Sequence, residues 1–118
     1  MNRPLLTLTL LTSVSLHAGF AQTSVDARLA QYRTQIDGVD RQIVELLNQR
    51  ASIVKQVGAV KKEAGVPVAA PAREQQVLDR VVQAGKNGPL PPAALRRIYA
   101  AILLEMRNWE AASSTTTK

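Results

Sequence analysis

SVDARLAQYRTQIDGVDRQIVELLNQRASIVKQVGAVK, residues 24–61, reads as one long helix, and the rest of the chain follows from what that helix leaves uncovered. Its apolar positions Leu29, Tyr32, Ile36, Val39, Ile43, Leu46, Ile53, Val57 and Val60 alternate in steps of three and four, which is the seam of a heptad pattern. Between Leu46 and Ile53 the seam calls for residue 50, and residue 50 is Arg. At 1.5 Å per residue the stretch makes a rod of roughly 57 Å, whereas a compact domain of about 100 residues has a radius of gyration of only about 13 Å. A chain this small cannot cover such a seam, so a second copy is expected along it. Burying an unpaired ion costs several kcal/mol. Arg50 therefore needs an anion, a carboxylate of the protein or one of a ligand.

Residues 1–21 differ in kind from the rest. Arg3 precedes an apolar and hydroxyl run from Leu5 to Leu16, and Gly19-Phe20-Ala21 puts small residues where a signal peptidase needs them. This reads as a secretory signal cut before Gln22, with a periplasmic or secreted product. The apolar run is about twelve residues, short of the roughly twenty of a membrane span, so no membrane association is expected after cleavage. The mature chain then comprises one helical domain, 22–112, and a polar tail, 113–118, expected to be disordered.

The chain has no cysteine, which excludes disulfides even in an oxidising compartment and adds weight to a helical oligomer. The net charge is +6, or +5 once Arg3 leaves with the signal. A basic balance can mark a nucleic-acid binder. Here the only basic runs are Lys61-Lys62 and Arg96-Arg97, and aromatics make up 3% of the chain, too few for base stacking. No nucleic-acid partner is expected, and small anions suit the charge better.

Ser24 is the expected N-cap of the long helix, with Asp26 in its first turn. The helix should end at Gly65, before Pro67. A second, short helix opens at Pro71 and runs to about Ala84, with Val77, Leu78, Val81 and Val82 on one face. One turn back from Val77 and Leu78 stand Arg73 and Glu74, so that face begins with a charged pair. A third, medium helix of about twenty residues opens at Pro91-Pro92, its inner face marked by Leu95, Ile98, Tyr99, Ile102, Leu103, Met106 and Trp109. Glu110 follows Met106 by four. The fold class is all-α, three helices per chain, long, short and medium.

The charged residues on or beside apolar faces are Arg33, Arg50, Lys61, Arg73, Glu74 and Glu110. Each has a structural alternative: Arg33 and Lys61 can shield a seam with their stems, Glu74 suits a helix N-terminus, and Glu110 belongs by default on the surface near a helix end. Arg33 and Lys61 lie about 42 Å apart along one line of the helix, so they cannot share a site within one chain. Two antiparallel copies can bring Arg33 of one near Arg50 and Lys61 of the other. The single histidine, His17, lies in the signal, and no nucleophile and base pair, metal-ligand spacing or phosphate loop is present. A pocket of three or four cations and one or two acids matches a small dicarboxylate, and any reaction in it must run on positioning and electrostatics.

The run R-x-x-I-D-x-x-D-x-x-[IL]-x-x-L-L-x-x-R from Arg33 to Arg50, then G-x-x-K at Gly58–Lys61, V-P at Val66-Pro67 and R-E at Arg73-Glu74, resembles the all-helical chorismate mutases over roughly residues 25 to 110. The resemblance implies an intertwined homodimer that converts chorismate to prephenate by a Claisen rearrangement, without a cofactor, in aromatic amino acid biosynthesis. By position, Arg33 resembles the arginine given across the dimer to a substrate carboxylate. Arg50 resembles the one that grips a carboxylate within its own chain, Lys61 the lysine on the ether oxygen, and Arg73 with Glu74 the pair at the substrate hydroxyl. Three positions depart from the pattern. Ala70 replaces a frequent aspartate, Met106 stands where a serine can bind a carboxylate, and Glu110 falls where many members have a glutamine donating to the ether oxygen. An ionised Glu cannot donate, whereas a protonated one can, so activity is expected to fall as pH rises. Two alternatives stay open: an isochorismate pyruvate lyase of the same fold, which can also lack the loop aspartate, and a non-catalytic exported helical module.

Overall fold

The computed structural model describes residues 17–115, with side chains from Gln22 onward. They form α1 (His17–Ala64), α2 (Pro71–Ala84) and α3 (Pro92–Thr115), with no strand among the described residues. The long, short and medium order expected from the sequence is the order observed.

Both ends of the helical scheme extend further than expected. α1 begins at His17 rather than behind a Ser24 cap. Ala18, Ala21 and Gln22 favour helix, Gly19 is a weak interruption, and propagation costs little once the long segment has nucleated. Of the expected signal, residues 1–16 lie outside the described residues, and 17–21 belong to α1. At the other end α3 continues through Ser113, Ser114 and Thr115, where the sequence predicts a loose tail. The hydroxyls of these three residues turn back on the helix and donate to the carbonyls of Trp109, Glu110 and Ala111 at 2.8, 2.8 and 3.1 Å. The last three residues of the chain lie outside the described set.

The chain divides into two units at Arg41 and Gln42. Among described residues, the first holds only the N-terminal part of α1. There the seam residues Leu29, Tyr32, Ile36 and Val39 are exposed, and Arg33 is exposed with no ion pair or hydrogen bond from its side chain to a described residue.

The second unit holds the rest of α1 with α2 and α3. Gly65, at φ +65°, takes the left-handed conformation that ends α1; Val66 N–H donates to Lys61 O at 2.8 Å, and Pro67 follows. Pro71 opens α2 behind Ala70, whose carbonyl accepts from Glu74 N–H at 3.0 Å. α2 and α3 pack together, joined at the surface by Arg96–Asp79 at 2.5 Å, an exposed pair that contributes little to stability. α3 meets α1 at three places. Trp109 Nε1 donates to Ala51 O at 3.2 Å, Glu110 lies over Gly58, and Lys62 Nζ donates to Ser114 O at 2.9 Å, satisfying a carbonyl near the end of α3.

Little of this is buried within one chain. Leu103 is the one buried large apolar residue among those described, while Ile43, Leu46, Ile53, Val57 and Val60 are 43% to 64% exposed. Ile98 and Trp109, expected on the inner face of α3, are also about half exposed, at 49% and 48%. They stand at the margins of that face, whose middle is taken by Leu103, Met106 and Glu110.

Candidate functional site

The second unit contains a cavity of about 300 Å³ between α1, α2 and α3, a volume at the small end of ligand sites. Its polar lining is Arg50 from α1, Arg73 and Glu74 from the first turn of α2, and Arg107 and Glu110 from α3. Leu103, Met106 and Val77 supply apolar wall. The sequence thus brings four of its six singled-out residues to one place, with Lys61 directly behind them. Arg33 lies in the first unit and is not among the lining residues.

Arg50 is half-buried and makes no ion pair or hydrogen bond through its side chain with any described residue. Of the two anions its seam position allowed, a protein carboxylate is not the one found here. Arg73 is likewise unpaired and exposed at the cavity edge. Two guanidinium groups that pair with no described carboxylate each offer a planar fork of donors, a geometry that suits carboxylates.

Lys61 is held from two sides. Its ammonium donates to Val68 O, in the loop between α1 and α2, at 2.8 Å, and stands 2.8 Å from Glu110 Oε1. The lysine side chain is 19% exposed and that of Glu110 8%, so this is a desolvated pair. Lys61 contacts Oε1 off the direction of a hydrogen bond, which leaves that oxygen in charge contact but without a donor. One more donor or a ligand atom would complete it. Glu110, which the sequence put by default on the surface, is the most buried charged side chain described. The cause is Gly58: a Cβ there would lie 3.0 Å from Glu110 Cγ and 3.3 Å from Ser114 Oγ, so the bare glycine is what lets α3 close on α1.

The sequence reading missed Arg107. Its Nη1 donates to both carboxylate oxygens of Glu74, at 2.8 and 3.1 Å, tying α3 to α2 across the cavity. A signal was present. Arg107 follows Leu103 by four, so it lies on the same inner face as that buried residue and beside Met106.

The family model for chorismate mutase type II matches residues 32–111. Among relatives, the bifunctional chorismate mutase/prephenate dehydratase of Aquifex aeolicus is 35% identical over 78 residues, which is 64% of this chain and 22% of that protein. The chorismate mutase of Methanocaldococcus jannaschii is 37% identical over 54 residues, 46% of this chain and 54% of that one. The matches therefore span about a fifth and about half the length of these two relatives. Among solved structures, the chorismate mutase of Thermus thermophilus in its form II superposes with a TM-score of 0.68 at 30% identity, covering 71% of this chain and 94% of that one. The chorismate mutase of Helicobacter pylori in complex with prephenate gives 0.71 at 26% identity, covering 78% and 99%.

Proposed function

We propose that this chain, which belongs to the chorismate mutase type II family, catalyses the rearrangement of chorismate to prephenate as an exported homodimer. The observation that carries the reading is Arg50, an uncompensated cation facing a 300 Å³ cavity that it shares with Arg73, Glu74 and Glu110. A dicarboxylate of chorismate's size supplies the missing anions.

In the reaction one C–O bond breaks as one C–C bond forms, within a single molecule, with no proton gained or lost. The protein's task is to hold the flexible dianion in the compact chair that brings the two carbons together, which removes an entropic barrier. Arg50 takes one carboxylate. Arg33 of the partner chain is assigned another, the role that its place in the motif implies. Lys61 faces the ether oxygen, where negative charge grows as the C–O bond lengthens, and a fixed ammonium there stabilises the transition state more than the ground state. Glu110 keeps Lys61 in place. Arg73 and Glu74 address the hydroxyl. An acceleration of about 10⁶ requires roughly 8 kcal/mol, within the combined reach of positioning and electrostatics.

The exposed seam from Leu29 to Val60 supports the homodimer. The composition of residues 1–21 supports export to the periplasm or beyond, and no described helix is long and apolar enough to cross a membrane. Prephenate would then enter aromatic amino acid biosynthesis. Loss of chorismate absorbance, with products identified and with isochorismate offered in parallel, tests the catalytic part of the reading. Prephenate is the expected product; salicylate with pyruvate from isochorismate would make the chain a lyase, and binding without turnover a non-catalytic module.

A further inference from the structure

Arg107 lines the cavity, touches no group outside it, and has no part in the reaction as derived so far. We propose that Arg107 is a further substrate-binding residue, anchored on Glu74 through Nη1 and offering its remaining N–H donors to a carboxylate of the dianion. The inference rests on the mutase reading and names one more residue of the same site.

Three observations carry it. The first is geometry. A guanidinium has five N–H donors, and both contacts to Glu74, at 2.8 and 3.1 Å, use Nη1. No hydrogen bond from Nε or Nη2 to a described residue accompanies them, and the side chain is 38% exposed at the cavity wall. The opposite edge of the guanidinium is thus open to a ligand, in an orientation fixed by the carboxylate behind it.

The second is charge. Arg50, Arg73, Lys61 and the partner's Arg33 against Glu74 and Glu110 leave the site with two net positive charges, but Glu74 stands in the cavity wall as a carboxylate facing the incoming anion. Arg107 cancels that carboxylate locally, so that Glu74 does not repel the dianion. The third is the neighbouring position. Met106 has no donor to give a carboxylate, yet it shares the wall with Arg107, the next residue of α3. A donor lost at one position is available at the adjoining one.

A double-mutant cycle on the full chain tests this. Arg107→Met, Glu74→Ala and the double variant are compared for KM and kcat with chorismate, and for affinity toward prephenate by calorimetry, with helicity checked by circular dichroism. Arg107→Met is expected to raise KM and the prephenate Kd at least tenfold with helicity unchanged. It should still raise both, by a smaller factor, in the Glu74→Ala background, where the guanidinium keeps its charge but loses its anchor, and Arg107→Lys should recover part of the loss. If the Arg107 change costs nothing once Glu74 is gone, the arginine only holds Glu74 and the inference is wrong. A wild-type chain that turns over chorismate while Arg107→Met keeps its KM also overturns it, leaving the mutase reading intact. A wild-type chain with no turnover of chorismate overturns both.

Discussion

Gly58→Ala adds one methyl group at the point where α3 lies against α1, and its effects on stability and on activity should part company. The new Cβ would stand 3.0 Å from Glu110 Cγ and 3.3 Å from Ser114 Oγ, where an unstrained carbon contact needs about 3.5–4.0 Å. Glu110 must therefore move by about 0.5 to 1 Å to reach that spacing. It cannot do so freely, because its carboxylate is tied to Lys61 and its carbonyl accepts from Ser114. Replacing a helical glycine by alanine gains about 1 kcal/mol, and overpacking loses about 1–3 kcal/mol. The net is a loss of about 0 to 2 kcal/mol, and each kcal/mol lowers Tm by about 4–8 °C in a domain of this size.

Catalysis should suffer more. A displacement of about 1 Å in a catalytic group can cost a hundredfold, so kcat is expected to drop between about tenfold and a hundredfold with the protein still folded. Gly38→Ala is the control, since its Cβ would meet only Arg41 Nη2, at 3.7 Å. It should gain stability and keep its rate. Thermal melts and chorismate assays on the two variants decide the matter. A Gly58→Ala protein as active as wild type, with the raised Tm of the Gly38 variant, would refute the packing argument.

Other perturbations separate the roles of the charged residues. Lys61→Met strips the buried Glu110 of its cation and is expected to cost about 3 kcal/mol or more; adding Glu110→Gln should restore the melting temperature but not the turnover. Arg50→Ala should lower kcat/KM by at least about 10² to 10³ while leaving Tm unchanged or higher, because a seam charge without a protein partner has gone.

The parts of the fold that were legible in the sequence are those decided locally. The heptad spacing located α1, Gly65 with Pro67 located its end, and Pro71 and Gly85 bounded α2. Arg50 was legible because a cation in an apolar seam is conspicuous in one dimension. The start of α1 was not, because no strong breaker separates His17 from Ser24, and a helix end without a breaker has no local mark. Glu110 and Arg107 were hidden for a different reason. Their burial and pairing depend on where α3 lands on α1 and α2, and that is fixed by the missing side chain of Gly58 and by Glu74, at positions far off in the chain. Ser113 to Thr115 looked like tail because hydroxyl residues favour coil on average. Here each hydroxyl finds a carbonyl one turn back, and Lys62 takes the carbonyl of Ser114.

One nitrogen atom, Lys61 Nζ, joins α1, the α1–α2 connection at Val68 and α3 at Glu110. Surface connections normally accept insertions at little thermodynamic cost. This one does not have that latitude, because lengthening it between Gly65 and Ala70 would carry the Val68 carbonyl away and leave the ammonium held by Glu110 alone. The length of so short a connection thereby sets the position of the Lys61 ammonium, as much as the identity of any side chain it carries.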